Sequence, residues 1–337
     1  MQILKDFLED YIFLSREISL PLQALQIINE RISFSQVLNF SENKFRKLLT
    51  YFKESEKIPI RKIDEKVKFF AKNKNFNTFE RIKKNLQICE KNDIKCLSYF
   101  DNDFPQLLKS IKKPPKLIFI KGEIKLRDEK AVAIIGTRTP TQYGRKMTKL
   151  ISKRFSQLGF TIVSGFARGI DTLAMKTALD NGGRAIGVIA SGILNLYPKE
   201  NEVLVDKLVS NGALISERFP LKSVNKVSLQ IRNRITSGIG LGNIFVEGTK
   251  FSGTKWQFKF GQEQGKPAIA VEPINLDSEQ AYIPDWIINE KKGYKISTIE
   301  DIDSISEILM EEYACRKRRY LIKKKKVFSK QKSLLKY

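Results

Sequence analysis

Glycines, hydroxyls and guanidiniums recur together beside short apolar runs of this 337-residue chain. Gly136, Thr137 and Arg138 follow the run at 131–135. Ser164, Gly165 and Arg168 follow the run at 161–163, in a segment that ends on Asp171. Arg232, Asn233 and Arg234 precede the run at 243–246, and Lys250, Ser252 and Gly253 come after it. The chemistry these types suit is the gripping of phosphate. A guanidinium offers a carboxylate or phosphate two parallel hydrogen bonds, glycine lets backbone amides approach an anion, and hydroxyls complete its shell. Each group also has a structural reading. A single arginine can serve the surface, Asp171 can cap the helix that begins beside it, and the glycines can simply permit close packing. Two arginines two apart point to different sides of a helix, so one of Arg232 and Arg234 is expected to face a ligand while the other pairs elsewhere.

Other chemistries are excluded by residue type. The chain has no histidine, which removes Ser-His-Asp, Cys-His and histidine-metal sites. Cys89, Cys96 and Cys315 are odd in number and lack C-x-x-C spacing, so no disulfide framework or zinc site is expected. The segment from Glu247 to Lys255 fails the Walker pattern, because Gly253 is followed by Thr254 and Lys255. The glycines at 238, 240 and 242 precede an apolar run instead of following one, so they are not a dinucleotide fingerprint. No cofactor is expected. The enzymatic alternative is a nucleotide N-glycosidase acting on nucleoside monophosphates, with Glu247 or Asp171 as its carboxylate.

The elements that must position these residues alternate in a regular way. Short apolar runs at 131–135, 161–163, 185–189, 213–215, 243–246 and 268–271 are separated by helix-length segments around 146–157, 171–181, 199–210, 230–236 and 255–264. Parallel strands need crossover helices on both faces, so the expected class is α/β, Rossmann-like and doubly wound, with a mainly parallel sheet. In such a sheet, ligands sit beyond the carboxyl ends of the strands, where the candidate residues fall. Residues 1–96 instead show apolar spacings of three and four, as in Leu22, Leu25, Ile28 and Ile32, and are read as a small all-helical N-terminal domain with its linker. Residues 97–300 form the Rossmann-like domain and 301–337 a C-terminal helix and basic tail.

The formal charge is +24. The acid-free tail from Arg316 contributes +11 of it, leaving +13 for the rest. That excess makes nucleic acid or an anionic membrane face the leading partner classes, with the tail as a phosphate-binding arm or a solvated end. No stretch approaches the roughly 18 apolar residues of a membrane span, and a cytoplasmic location is expected. Phe166, Tyr197, Phe219 and Phe251 lie near the candidate loops, and each is read as partly buried core ahead of a platform for bases.

Taken in order, the motifs resemble the DNA-processing protein A family (DprA, also called Smf). The resemblance covers about residues 97–273. It rests on Tyr99 to Pro105, Pro115 to Gly122, Gly136 to Arg138, Tyr143 and Gly144, Ser164 to Asp171, Tyr197 and Pro198, Ser216 and Glu217, Arg232 to Arg234, and Ser252 and Gly253. It implies a Rossmann-like domain that binds single-stranded DNA, forms a homodimer and loads the RecA recombinase during natural transformation. It assigns the grip on phosphates to Gly136, Thr137, Arg138, Ser164, Gly165, Arg168, Arg232, Asn233 and Arg234. The helical N-terminal region resembles the sterile-alpha-motif-like domain of many members. The chain departs from the family pattern at Met175, where members have histidine. It departs again at Gln230 and Ile231, where they have Phe-Pro, and at Lys255 to Phe260, which lacks the usual Thr-Ala.

Overall fold

The computed structural model describes the backbone from Gln2 to Leu334, and divides it into two compact units. The first comprises residues 1–104 with 116–118. It holds α1 (Gln2–Ile12), α2 (Leu22–Arg31), α3 (Phe34–Leu38), α4 (Glu42–Glu54), α5 (Ile63–Asn73), α6 (Phe76–Lys91) and strand β1 (Ile94–Ser98). Polar residues set where several of these helices start. The side chains of Ser33, Ser41 and Asn75 accept hydrogen bonds from the amides of Gln36, Lys44 and Thr78, satisfying donors that the first turn leaves unpaired. The three- and four-residue spacing then turns Tyr11, Phe13, Phe34, Phe45, Phe52 and Phe70 inward, all fully buried, with the rings of Phe45 and Phe70 stacked 3.9 Å apart.

The second unit comprises residues 105–115 and 119–337. Its strands are β2 (Leu117–Gly122), most of which belongs here, β3 (Ala131–Ile135), β4 (Thr161–Ser164), β5 (Ala185–Ile189), β6 (Gly212–Ser216), β7 (Asn243–Phe245), β8 (Ala268–Val271) and β9 (Tyr294–Ile296). They lie in the order β2-β6-β5-β4-β3-β7-β8-β9. All neighbours are parallel except β2, which runs antiparallel to β6. The helices are α7 (Gln106–Lys109), α8 (Gln142–Gln157), α9 (Ile170–Asp180), α10 (Val205–Ser210), α11 (Lys226–Ile239), α12 (Thr254–Glu263), α13 (Tyr282–Asp285) and α14 (Ile299–Leu334). The expected α/β class, Rossmann-like and mainly parallel, is the one found. Strands β3, β5 and β6 are buried at every position, as continuous apolar runs covered on both faces must be.

Two features of the sheet escape the sequence pattern. Strand β9 buries only Ile296 of its three residues, too short a signal for a period of two to register. The antiparallel direction of β2 is set by tertiary pairing, with Phe119 opposite Ser216 and Gly122 opposite Ala213. Gly122 ends that strand at φ +93°, and a Cβ there would meet the Gly212 carbonyl oxygen at 2.6 Å.

The order of the strands places the site. After β3 the chain winds outward through β4, β5 and β6, then returns to lay β7 on the other side of β3. The loops leaving β3 and β7 therefore diverge, opening a crevice at their carboxyl ends.

Candidate nucleic-acid interface

A cavity of about 440 Å³ occupies that crevice. Gly136, Thr137 and Arg138 line it from the loop after β3, and Ala167 and Asp171 from the loop after β4 and the start of α9. Arg232 and Asn233 reach it from α11, Ser252 and Gly253 from the loop after β7, and Trp256 from α12. Seven of the twelve candidates named from the sequence thus share one cavity.

Arg232 is the pivot. Its residue is 9% exposed, its Nη1 donates to the Val188 carbonyl oxygen at 3.0 Å, and its Nε has no hydrogen-bond partner. Burial pulls its pKa down to about 10, Asp171 opposes that fall and the nearby Arg138 adds to it, so the guanidinium keeps its charge at neutral pH. Burial likewise pushes the Asp171 carboxyl above its ordinary value. Arg232 and the amides of Ala167, Gly136 and Gly165 pull the other way. The helix-cap role expected of Asp171 is not the one found: Gly169 holds the cap position without a side-chain bond, Asp171 lies inside the first turn of α9, and its carboxylate accepts from the Ala167 amide at 3.4 Å and faces a buried cation.

The glycines explain how such close approach is possible. A Cβ on Gly165 would fall 1.7 Å from Arg232 Nη1 and 2.6 Å from an Asp171 carboxylate oxygen. A Cβ on Gly136 would strike the Ile170 side chain at 2.7 Å. Gly169, at φ +76°, brings its loop to within 2.4 Å of the Thr137 carbonyl oxygen by the same measure, and the Ile170 amide donates to that oxygen at 3.1 Å. Of the two uses expected for these glycines, packing is the one the contacts display. Together they lock the loops after β3 and β4 into one wall.

Arg138 is exposed and has no hydrogen bond or ion pair among the described residues. A guanidinium without a protein partner, beside a second one whose counter-charge is buried, leaves the mouth of the cavity positive. Such a mouth suits an anion with several oxygens.

The structure takes the remaining candidates elsewhere. Ser164 is fully buried and its hydroxyl donates to the Ile134 carbonyl oxygen at 2.6 Å, tying β4 to β3. Gly165 sits beneath Arg232 and does not line the cavity. Arg168 pairs with Glu200 at 3.0 Å on the surface. Lys250 is exposed on the loop after β7, outside the cavity lining. Arg234 makes two 2.7 Å bonds to Glu217 and a third to the Lys113 carbonyl oxygen, so it braces α11. Of the two arginines, Arg232 lines the cavity and Arg234 pairs elsewhere.

Glu247, one of the two carboxylates named for the glycosidase alternative, is also committed to structure. It is buried, accepts from both the amide and the hydroxyl of Thr141, and so braces the start of α8. Gly238 packs on Leu108 and Ile111 at the amino end of β7, away from any ligand loop. Among the aromatic residues, Phe166 is fully buried and Phe219 packs on Phe119 at 5.3 Å. Tyr197 is 40% exposed and Phe251 93% exposed, both contrary to their reading as core. Trp256 and Gln280 line the cavity without having been singled out. They arrive from helix α12 and from the segment after β8, and only the winding of the chain brings them there.

Among the described residues no helix is long and apolar enough to cross a membrane, and no cluster of metal-binding side chains occurs. The side chains of the basic tail from Arg319 onward lie outside the described residues, and with them the expected phosphate-binding arm.

The model of one protein family, DNA recombination-mediator protein A, matches residues 95–307, which span the sheet, the cavity and every candidate site residue. The chain belongs to this family. Its relatives include DNA processing protein DprA of Bacillus subtilis, 38% identical over 201 residues, covering 59% of this chain and 67% of the relative. DNA processing protein DprA of Streptococcus pneumoniae is 35% identical, over 53% of this chain and 64% of the relative. Protein Smf of Synechocystis is 31% identical, over 64% of this chain and 54% of the relative. The chain thus spans between about half and two thirds of the length of these relatives.

Two solved structures have a similar fold and cover more of the chain. The X-ray structure of DprA from S. pneumoniae superposes with a TM-score of 0.63 at 25% identity, over 79% of this chain and 94% of the other. The structure of DNA processing protein A from Helicobacter pylori, described for its single-stranded DNA binding mode, superposes with a TM-score of 0.57 at 26% identity, over 65% of this chain and 97% of the other.

Proposed function

We propose that this member of the DNA recombination-mediator protein A family binds single-stranded DNA by its backbone at the crevice between β3 and β7, without chemistry on the strand. The observation that carries the reading is the pairing of Arg138, exposed and without a protein partner, with Arg232, buried and fixed, at the mouth of one cavity. Arg232 supplies a preorganised charge that costs no side-chain ordering when a phosphate arrives, and Arg138 closes on it from solvent. The H. pylori relative, described as binding single-stranded DNA, supports the choice of ligand. The same reading has the protein protect incoming strands in natural transformation and pass them to the RecA recombinase as a cytoplasmic homodimer. That part is supported by resemblance to the family.

Fluorescence anisotropy with a labelled oligothymidine and a matched duplex over a salt series tests the binding. Replacing Arg138 by alanine is expected to weaken single-strand binding roughly tenfold or more, the loss of one charge-assisted contact. The slope of log K against log salt should fall by about 0.7. Unchanged affinity and slope would remove the crevice from consideration. RecA loading is read separately, as the rate at which RecA ATPase activity appears on strands coated with single-strand binding protein.

A further inference from the structure

The loop after β7 carries an aromatic and basic surface that the phosphate grip does not use. Phe251 stands at the rim of the cavity, between the lining residues Thr249 and Ser252, with 93% of its surface in water. One turn of α12 further on, Trp256 both lines the cavity and is 39% exposed. Its ring lies 6.4 Å from that of Phe260, and the Lys259 ammonium sits over it at 5.4 Å from the centroid. Lys250 and Lys259 are exposed on either side of the two aromatics. Gly253, between them, has open space around it, since a Cβ there would meet nothing within 4 Å.

An isolated exposed apolar side chain is ordinary. Here two aromatics border a positively charged cavity, flanked by lysines and separated by a glycine that leaves room above the loop. We infer that Phe251 and Trp256 form a platform on which nucleobases of a bound strand stack while its phosphates occupy the Arg138 and Arg232 cavity. The inference rests on the reading of that cavity as a phosphate site. It adds the source of discrimination. A phosphate grip alone holds single and double strands alike, whereas stacking requires bases whose faces are free. It also makes the grip tolerant of sequence, because every base has a face to offer. The lysines favour a polyanion over an apolar or cationic protein partner at the same rim.

Binding of a 20-residue oligothymidine is compared with that of an abasic backbone of equal length, using the full chain and its Phe251→Ala, Phe251→Leu and Arg138→Ala variants. Phe251 is so exposed that its removal leaves the fold intact. Loss of one stacked base is expected to weaken oligothymidine between about fivefold and a hundredfold. Binding of the abasic strand should stay unchanged, and leucine should fail to rescue. The chain has two tryptophans, so in a Trp286→Phe background the emission reports on Trp256 alone. Oligothymidine should quench it and the abasic strand should not. Unchanged oligothymidine affinity in Phe251→Ala, or an equal loss on both strands, overturns the platform, as does a change in molecular mass by light scattering without an effect on DNA, which would make the rim a protein contact. The phosphate reading is judged independently: if Arg138→Ala leaves both strands bound as before, that reading fails whatever Phe251 does.

Discussion

Replacing Gly165 by alanine should separate the architecture of the cavity from its charge. The added Cβ would sit 1.7 Å from Arg232 Nη1 and 2.5 Å from its Cζ. An ordinary contact needs about 3.5 Å, so the guanidinium must withdraw by roughly 2 Å. The 3.0 Å bond to the Val188 carbonyl oxygen cannot survive that movement, nor can the close approach to Asp171. Loss of a hydrogen bond to a charged group costs about 1.5–3 kcal/mol, and the overpacking itself about 1–3. Because the two overlap, the net loss is set at about 2–5 kcal/mol. For a unit of this size that is a fall in Tm of roughly 5–15 °C. Oligothymidine affinity should fall as well, since the buried cation no longer faces the cavity. Gly253→Ala is the control: its Cβ meets nothing within 4 Å and its backbone is not left-handed, so Tm should stay unchanged. Thermal unfolding followed by circular dichroism, with anisotropy on the folded protein, reads both effects. A Gly165→Ala protein with a Tm within about 1 °C of the parent and full affinity would refute the placement of Arg232 against Gly165.

Arg234→Ala should destabilise the protein by about 3 kcal/mol by removing its two-bond fork to Glu217 and its bond to the Lys113 carbonyl oxygen, while the salt slope of DNA binding in the folded variant stays that of the parent. Arg234→Lys should not restore stability, because one ammonium cannot replace a two-bond fork. Glu247→Gln should lower Tm by disturbing the hold on Thr141, and neither it nor the parent should release free base from nucleoside monophosphates in a chromatographic assay. Burial alone would raise the pKa of Asp128, yet bonds from Arg184, the Lys125 amide and Thr161 hold it below the ordinary aspartate value. Its stabilising effect is therefore full above that ordinary value and is lost as pH falls through the depressed one. Asp128→Asn should flatten the acid limb of urea stability measured across that window.

The sequence by itself determined the elements and the chemistry they carry. Continuous apolar runs such as 131–135 and 185–189 can only be strands buried on both faces, and their alternation with helix-length segments dictated a parallel sheet. That in turn put Gly136, Arg138 and Ser252 beyond carboxyl ends, where ligands bind. The types present, with no histidine, decided against most catalytic sites.

Only the tertiary structure decided which candidates meet. Arg232 and Arg234 are indistinguishable by type and spacing. One turn geometry sends the first across Gly165 into the cavity and the second onto Glu217. Ser164 and Glu247 look like ligand groups in the sequence, but their burial forces each oxygen to find a protein partner, and they find Ile134 and Thr141. Trp256 and Gln280 join the cavity, and Phe251 stands free of any core, because β7 returns beside β3 and carries the following loop to the crevice. Local pattern fixes period and type, since those follow from neighbours three or four residues away. The identity of a contact partner depends on chain segments more than a hundred residues apart, as for Thr141 and Glu247, and no local pattern records it.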